Sequence, residues 1–307
     1  MPKDQSSRRK GIIAELVAQV LFGLSFLFTK EATREVTPLE LLSWRFTIAA
    51  VVFLILIKIG FFKVNFRGKN IKTLLVLGIL HPIIYFLCEN KGIALTSAAE
   101  SGLIIASMPI FCMLFSMLFL KTRASRTQTL GIIITIIGVC ILVAGQSTSP
   151  TFNLLGYVLL FSCVIAYCLF AILNVKIPEF SSVEKAAAMV FSGAVFFTVT
   201  NLIIEAISGN VKTFLRLPLD NRSLLIAALY LGIGSTIIAF TCNNIGIETL
   251  GTTASASFVG ISTIVTVLAG AVFLHEELTL PKIISTVLVI SGVFIANKSQ
   301  PETQPVE

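Results

Sequence analysis

Glu15, Gln19, Arg45, His81 and Tyr85 stand inside long apolar runs of a 307-residue chain. If those runs cross a bilayer, an ionisable group near the midplane costs roughly 2.5–3.5 kcal/mol on insertion scales. Each such group then asks for a partner or a water-filled cavity. Arg45 lies a third of the way along its run, beside Trp44. Its guanidinium can meet a substrate carboxylate or pair with a carboxylate of the protein. The competing reading is a structural arginine snorkelling to the outer interface, because Pro38 begins the run about two turns earlier. Glu15 and Gln19 share one helix face. They read either as a cavity-facing proton or substrate contact, or as an interfacial carboxylate offset by the basic N-terminus. His81 is followed by Pro82, whose missing N–H kinks a helix and frees a carbonyl. A histidine there relays a proton or holds a solute, or it is neutral and hydrogen-bonded between helices. Tyr85 adds an aromatic wall with a hydroxyl on the same face.

Further polar residues come in pairs. Glu89-Asn90 and Asn243-Asn244 are 154 positions apart and are expected at helix ends, as polar gates on opposite sides or as caps. Glu100 and Glu248 read as interfacial. Ser101, Gly102, Ala106 and Ser107 lead to Pro109 in one run. Thr252, Thr253, Ser255, Ser257, Gly260, Ser262 and Thr263 occupy another. Such small hydroxyl residues allow close helix approach and offer hydrogen bonds to a passing solute, which marks Ser107, Ser257 and Thr263 as cavity candidates. Gly131, Gly138 and Gly145, with Ser285 and Gly292, form smooth stripes for packing between halves or between two copies in a homodimer.

No carboxylate pair, H-E-x-x-H or G-x-S-x-G motif supports an enzyme, and no G-x-x-x-x-G-K-[ST] supports ATP coupling. The six cysteines lie in apolar runs without a C-x-x-C pair, and only two histidines exist, so neither a metal site nor a cofactor is expected.

These residues need helices in lipid to position them. Hydrophobic residues make up 55% of the chain and charged residues only 13%, where a soluble domain carries about 25%. That is too little charge to coat a sphere in water, so the partner solvent is the lipid bilayer. The net charge of +7 sits between apolar spans, which reads as cytoplasmic loop charge rather than nucleic-acid binding. The run from Gly11 to Thr29 follows four basic residues like a signal sequence, but it is spanning length and lacks a cleavage site, so it reads as a retained helix.

Ten spans are expected, at roughly 11–29, 38–58, 72–90, 98–120, 127–145, 153–174, 184–207, 223–243, 252–274 and 281–297. Connections carry charges or breakers such as Thr37-Pro38, Ser149-Pro150, Leu217-Pro218 and Leu280-Pro281. With the N-terminus inside, 15 Lys and Arg fall on the cytoplasmic side and 7 outside, which orients both termini to the cytoplasm. Lys212, Arg216 and Arg222 run against this bias.

Residues 90 to 143 overlay 244 to 297 without a gap, with about a dozen identities. Asn90, Gly92, Ile93 and Ser101 meet Asn244, Gly246, Ile247 and Ser255, while Phe119-Leu120 and Gly138-Val139 meet Phe273-Leu274 and Gly292-Val293. Five spans per copy is odd, so the second copy enters the membrane upside down. Lys121-Thr122-Arg123 against His275-Glu276-Glu277 agrees, a basic turn in one copy and an acidic one in the other. The expected fold is an all-α integral membrane protein of ten transmembrane helices in two inverted five-helix repeats, 1–147 and 148–298, followed by a disordered cytoplasmic tail, 299–307.

The ordered set of Phe22-Gly23-Leu24-Ser25-Phe26 with Lys30, Pro38, Trp44-Arg45, Lys91-Gly92-Ile93-Ala94-Leu95, Ala98-Ala99-Glu100, Met108-Pro109, Ile245-Gly246-Ile247 and Leu274-His275-Glu276-Glu277 resembles the EamA-type transporters of the drug/metabolite transporter superfamily. The resemblance covers about 11–297. The chain departs from that pattern at Phe22, Thr263 and Thr122, where the family often has Trp, Pro and Glu. The resemblance implies a cell-membrane transporter of small metabolites, commonly an exporter of amino acids or related compounds. The residues themselves point to a secondary carrier with a small-molecule substrate bound between spans one to four and six to nine. Few charges and many aromatics favour a zwitterionic or largely apolar solute. A nucleotide-sugar or sugar-phosphate exchanger would need an intramembrane Lys/Arg cluster, and only Arg45 offers one. A non-transporting scaffold or sensor is the reading from another class.

Overall fold

A computed structural model describes residues 5–120, 125–146, 152–250, 255 and 258–298. Described residues fall in helices and their connections, with no strand among them. The chain runs through α1 (Gln5–Ala32), α2 (Pro38–Lys58), α3 (Ile71–Leu95), α4 (Ala98–Ala106), α5 (Met108–Leu120) and α6 (Arg126–Gln146). It continues through α7 (Leu154–Val175), α8 (Ser182–Ile207), α9 (Val211–Asp220), α10 (Arg222–Leu250), α11 (Val259–Phe273) and α12 (Leu280–Lys298). Twenty apolar residues make about 30 Å of helix, the thickness of a hydrocarbon core. Eight helical stretches among the described residues meet that length and hydropathy, and α11 and Leu280–Ile295 are apolar but shorter. The ninth expected span begins at 252, and residues 251–254 and 256–257 lie outside the described ones, as do Ser257, the turn 121–124, the Ser149-Pro150 break and the tail 299–307.

Local signals start these helices where the residues direct. Thr37, Ser97 and Ser181 each close a capping box with Glu40, Glu100 and Glu184, satisfying orphan N–H groups at the first turn. Pro38 and Pro281 sit in the first turns of α2 and α12, where the missing N–H costs nothing. Leu217-Pro218 does not break a connection as expected. It lies within α9, an amphipathic helix that buries Phe214 and Pro218 and exposes Lys212 and Arg216. Trp44 packs on Phe214, with ring centroids 5.4 Å apart.

Ser107 separates α4 from α5. The span Ala98–Phe115 is 83% buried, against 33–44% for the spans in α1, α2, α3, α6 and α8, so it forms the centre. The outer helices expose Ile13, Val51, Ile133, Val195, Ile203 and Val287, an apolar surface that only lipid covers without cost.

Helices of the first and second halves interleave. α2 packs on α8, α6 on α12, α4 on α11, α3 on α7, and α1 on both α10 and α11. The glycine stripes pack α6 against α12 within one chain. A Cβ on Gly138 would meet Leu288 and Val289, and one on Gly292 would meet Thr135. A shift of 154 exchanges the pair Gly138–Val289 with Thr135–Gly292. Ser43 donates to the carbonyl of Phe197, again 154 positions away, at 2.9 Å. Wide helical turns interrupt α3 at Ile79–Ile84 and α10 at Tyr230–Ile238, in the same register. Of the cysteines, Cys112, Cys163 and Cys168 are buried, but Cys140 is exposed on the outer surface.

Candidate functional site

α1 presents Gln19, Phe22, Ser25 and Phe26 from one face, at spacings of three and four that a helix stacks above one another. α3 presents His81, Tyr85, Phe86 and Glu89. At His81 the backbone turns extended, with φ −143° and ψ 110°, and Pro82 follows through a cis peptide bond. Proline cannot donate the helical bond, so α3 breaks there. Below that break, α3 resumes and turns His81, Tyr85 and Glu89 to one side. The α4–α5 junction adds Ile105 and Met108, α7 adds Tyr167, α10 adds Asn243, and α11 adds Val259 and Ser262. Together these walls surround a cavity. Spans two and seven, expected among the walls, contribute nothing to this lining.

Rings dominate the walls. His81 lies 4.6 Å from Tyr85 and 5.1 Å from Phe86 between centroids, and Tyr85 lies 6.1 Å from Tyr167. Glu89 accepts a 2.7 Å hydrogen bond from the Tyr85 hydroxyl. Gln19 and Asn243 donate to Glu15 at 3.1 and 3.3 Å, and Ser255 donates to it as well. Neither Glu15 nor Glu89 enters an ion pair among the described residues.

The candidate residues therefore divide. Gln19, His81, Tyr85, Glu89 and Asn243 meet at the cavity. Glu15 does not line it but is fully buried behind Gln19 and Asn243, so it is not interfacial. Arg45 is 1% exposed and does not snorkel. Its Nε donates to Thr236 at 2.8 Å, an Nη donates to Ser235 at 3.2 Å, and the guanidinium lies 4.1 Å from the Phe86 ring centre. Hydroxyls from the wide turn of α10 take two of its five N–H groups, and an aromatic face lies against the guanidinium.

Ser107 and Thr263 do not line the cavity. Ser107 donates to Ile104 O, and Thr263 donates to Gly102 O at 3.3 Å, tying α11 to α4. Glu89-Asn90 and Asn243-Asn244 are not at helix ends, because α3 runs on to Leu95 and α10 to Leu250. Asn244 bonds Asn174 at 2.9 Å, while the buried amide of Asn90 has no partner. Glu100 is buried rather than interfacial, bonded by Tyr157 at 3.1 Å and 3.6 Å from Lys282. Tyr167 escaped the sequence reading. One of only four tyrosines, set in mid-span, it carried a signal, since a buried hydroxyl asks for a partner.

Charged groups brace the turns at the ends of the bundle. The Lys30 ammonium donates to the carbonyls of Ile93 at 3.0 Å, Ala94 at 3.3 Å and Thr96, capping the end of α3. The Glu276 carboxylate accepts the N–H groups of Ala98 at 2.8 Å and Ala99 at 3.0 Å, capping the start of α4 from the other half. At the end of α7, Lys185 donates to Asn174 O at 2.9 Å.

A profile of the EamA-like transporter family matches residues 9–144 and again 154–298. The chain belongs to this family. With its many spanning-length apolar helices, this family member is a multi-pass membrane protein. It is 29% identical over 287 residues to the uncharacterized transporter YcxC of Bacillus subtilis, covering 93% of this chain and 92% of that one. It is 22% identical to the probable amino-acid metabolite efflux pump of Escherichia coli, covering 94% and 95%. The pseudopaline exporter CntI of Pseudomonas aeruginosa is 25% identical over 66% of this chain and 67% of its own. A solved crystal structure superposes with a TM-score of 0.65 at 21% identity, covering 95% and 98% of the two chains, which shows a shared fold.

Proposed function

We propose that this family member is a secondary carrier in the cell membrane. It moves a small metabolite by alternating access, as two inverted five-helix halves rock about the cavity. One observation carries the reading: the cavity is walled by both halves, α1, α3, α4 and α5 from the first and α7, α10 and α11 from the second. A solute held there is released when the halves part on either side. Contacts that a shift of 154 exchanges support a two-fold relation between halves, as in an isologous interface. Five spans per half then require opposite orientations, and the Lys/Arg bias directs both termini to the cytoplasm.

Gln19, His81, Tyr85, Glu89 and Asn243 are the solute contacts in this reading, and Glu15 holds the two amides in place. Export of amino acids or related metabolites follows from what a relative's name states, an amino-acid metabolite efflux pump. A nucleotide-sugar exchanger is disfavoured, because no lysine or arginine among the described residues lines the cavity.

Purified chain in proteoliposomes loaded with labelled amino acids and amines should show saturable efflux that unlabelled solute on the far side accelerates by exchange. Ser262→Trp, which fills the cavity, should abolish it while the melting temperature stays within a few degrees. Efflux that is linear in concentration and unchanged by Ser262→Trp would sink the carrier reading.

A further inference from the structure

We propose that the cavity selects a protonated amine, with Glu89 as counter-ion and Tyr85, Phe86 and Tyr167 around its apolar body, and that it rejects solutes whose only charge is negative. The proposal rests on the carrier reading and names its substrate class.

The first argument is charge. Among the described residues Glu89 is the one carboxylate on the cavity wall, and no lysine or arginine joins it. Arg45 is one layer back, turned onto Phe86 and the hydroxyls of Thr236 and Ser235. A substrate carboxylate or phosphate would enter a low-dielectric space without a cation to meet it. A substrate ammonium would meet Glu89, whose one hydrogen bond among the described residues comes from the Tyr85 hydroxyl and on which Arg45 acts only through its charge, from the layer behind.

The second argument is the direction of the hydrogen bonds. A carboxylate only accepts, so Glu15 draws the amide NH2 groups of Gln19 and Asn243 toward itself. Their carbonyls are left on the other side; that of Asn243 is 3.5 Å from the Tyr167 hydroxyl. The remaining hydroxyls of the wall spend their protons on the protein as well. Tyr85 donates to Glu89, Ser25 to Phe22 O at 2.6 Å, and Ser262 to Val259 O at 2.8 Å. The cavity is therefore rich in acceptors and poor in donors, the complement of an N–H-bearing ligand. His81 Nδ1 is buried without a hydrogen-bond partner among the described residues.

The third argument is the rings. Tyr85, Phe86 and His81 lie with centroids within 5.1 Å of one another, and Tyr167 is 6.1 Å from Tyr85. Aromatic faces attract a cation and repel an anion; Phe86 already carries Arg45 on its ring, which leaves Tyr85 and Tyr167 for the solute.

Three probes with one ring and different charge test this: tryptamine, L-tryptophan and indole-3-propionate. Binding is measured to the full chain in detergent, and uptake into proteoliposomes. Tryptamine should bind at least about ten-fold more tightly than L-tryptophan, with indole-3-propionate showing no saturable binding. Glu89→Gln should reduce tryptamine binding by at least about ten-fold, and Glu277→Gln, which removes an exposed carboxylate away from the cavity, should retain it. Equal or tighter binding of indole-3-propionate overturns the proposal, as does absence of binding by all three or unchanged tryptamine binding by Glu89→Gln. Tryptamine binding without flux leaves the proposal standing and removes the carrier reading. Flux of L-tryptophan with no tryptamine binding keeps the carrier and removes the proposal.

Discussion

Phe86 and Phe240 stand 154 positions apart in the chain and stack on one another, with ring centroids 5.8 Å apart and planes tilted by 22°. That interval is the one at which Asn90 to Val143 overlays Asn244 to Asn297. Phe86 also lines the cavity and carries Arg45 on its ring.

Packing of α6 on α12 should fail asymmetrically. A Cβ on Gly292 would sit 2.7 Å from Thr135 N and 2.8 Å from Gly131 O, backbone atoms that cannot swing away. Gly292→Val should cost about 1–3 kcal/mol, read as a fall in melting temperature in detergent. Gly260→Ala, with no atom within 4 Å of the new Cβ, should change nothing measurable.

Arg45 and Thr236 should be energetically coupled. Thr236→Val leaves a buried guanidinium short of a partner and should destabilise by roughly 1.5–3 kcal/mol. In an Arg45→Met background the same change should cost less than about half as much, because no charge remains to be satisfied. Additive losses in the double-mutant cycle would contradict the coupling.

The Glu276 brace should depend on its second oxygen. Glu276→Gln leaves one acceptor for the N–H groups of Ala98 and Ala99, so chemical melting should show a loss of about 1–2 kcal/mol. Glu277→Gln, on an exposed neighbour, is the control and should be silent.

Gly246 should matter to function more than to fold. An added Cβ would lie 2.0 Å from Glu15 Oε1 and 2.5 Å from its Cδ, all atoms of one flexible side chain. Gly246→Ala should therefore fold but displace Glu15 from Gln19 and Asn243. Transport assays should show KM raised by roughly ten-fold or more, with the melting temperature nearly unchanged.

The helices were legible because twenty apolar residues in a row have few alternatives. In lipid every backbone N–H and C=O must bond within its own segment. Pro38 and Thr37 start α2 at the expected residue for the same local reason. α9 was not legible, because ten residues with Leu217-Pro218 inside read as a break until Phe214 and Pro218 find a neighbour to bury them. The ends of α3 and α10 were misjudged because Glu89-Asn90 and Asn243-Asn244 look like punctuation. The helices continue through them: Asn243 and Asn244 bond across the bundle, Glu89 accepts from Tyr85 one turn back, and the Asn90 amide is buried without a partner among the described residues.

Composition and span lengths are properties of the chain read in order, and they determined the helical membrane class, while the ordered motifs from Phe22-Gly23 to Glu276-Glu277 carried the resemblance to the family. Which polar residues meet is another matter. Arg45 could snorkel or turn inward with equal right, until Thr236 and Ser235, 191 and 190 residues away, supplied the hydroxyls that hold it. Glu15 depends in the same way on Asn243 and Ser255. A helix offers several faces to its neighbours, and near-uniform hydrophobicity leaves little to say which one turns inward. Only the packing of the two halves decided that, because most buried polar groups need a partner, and Arg45 and Glu15 find theirs on other helices.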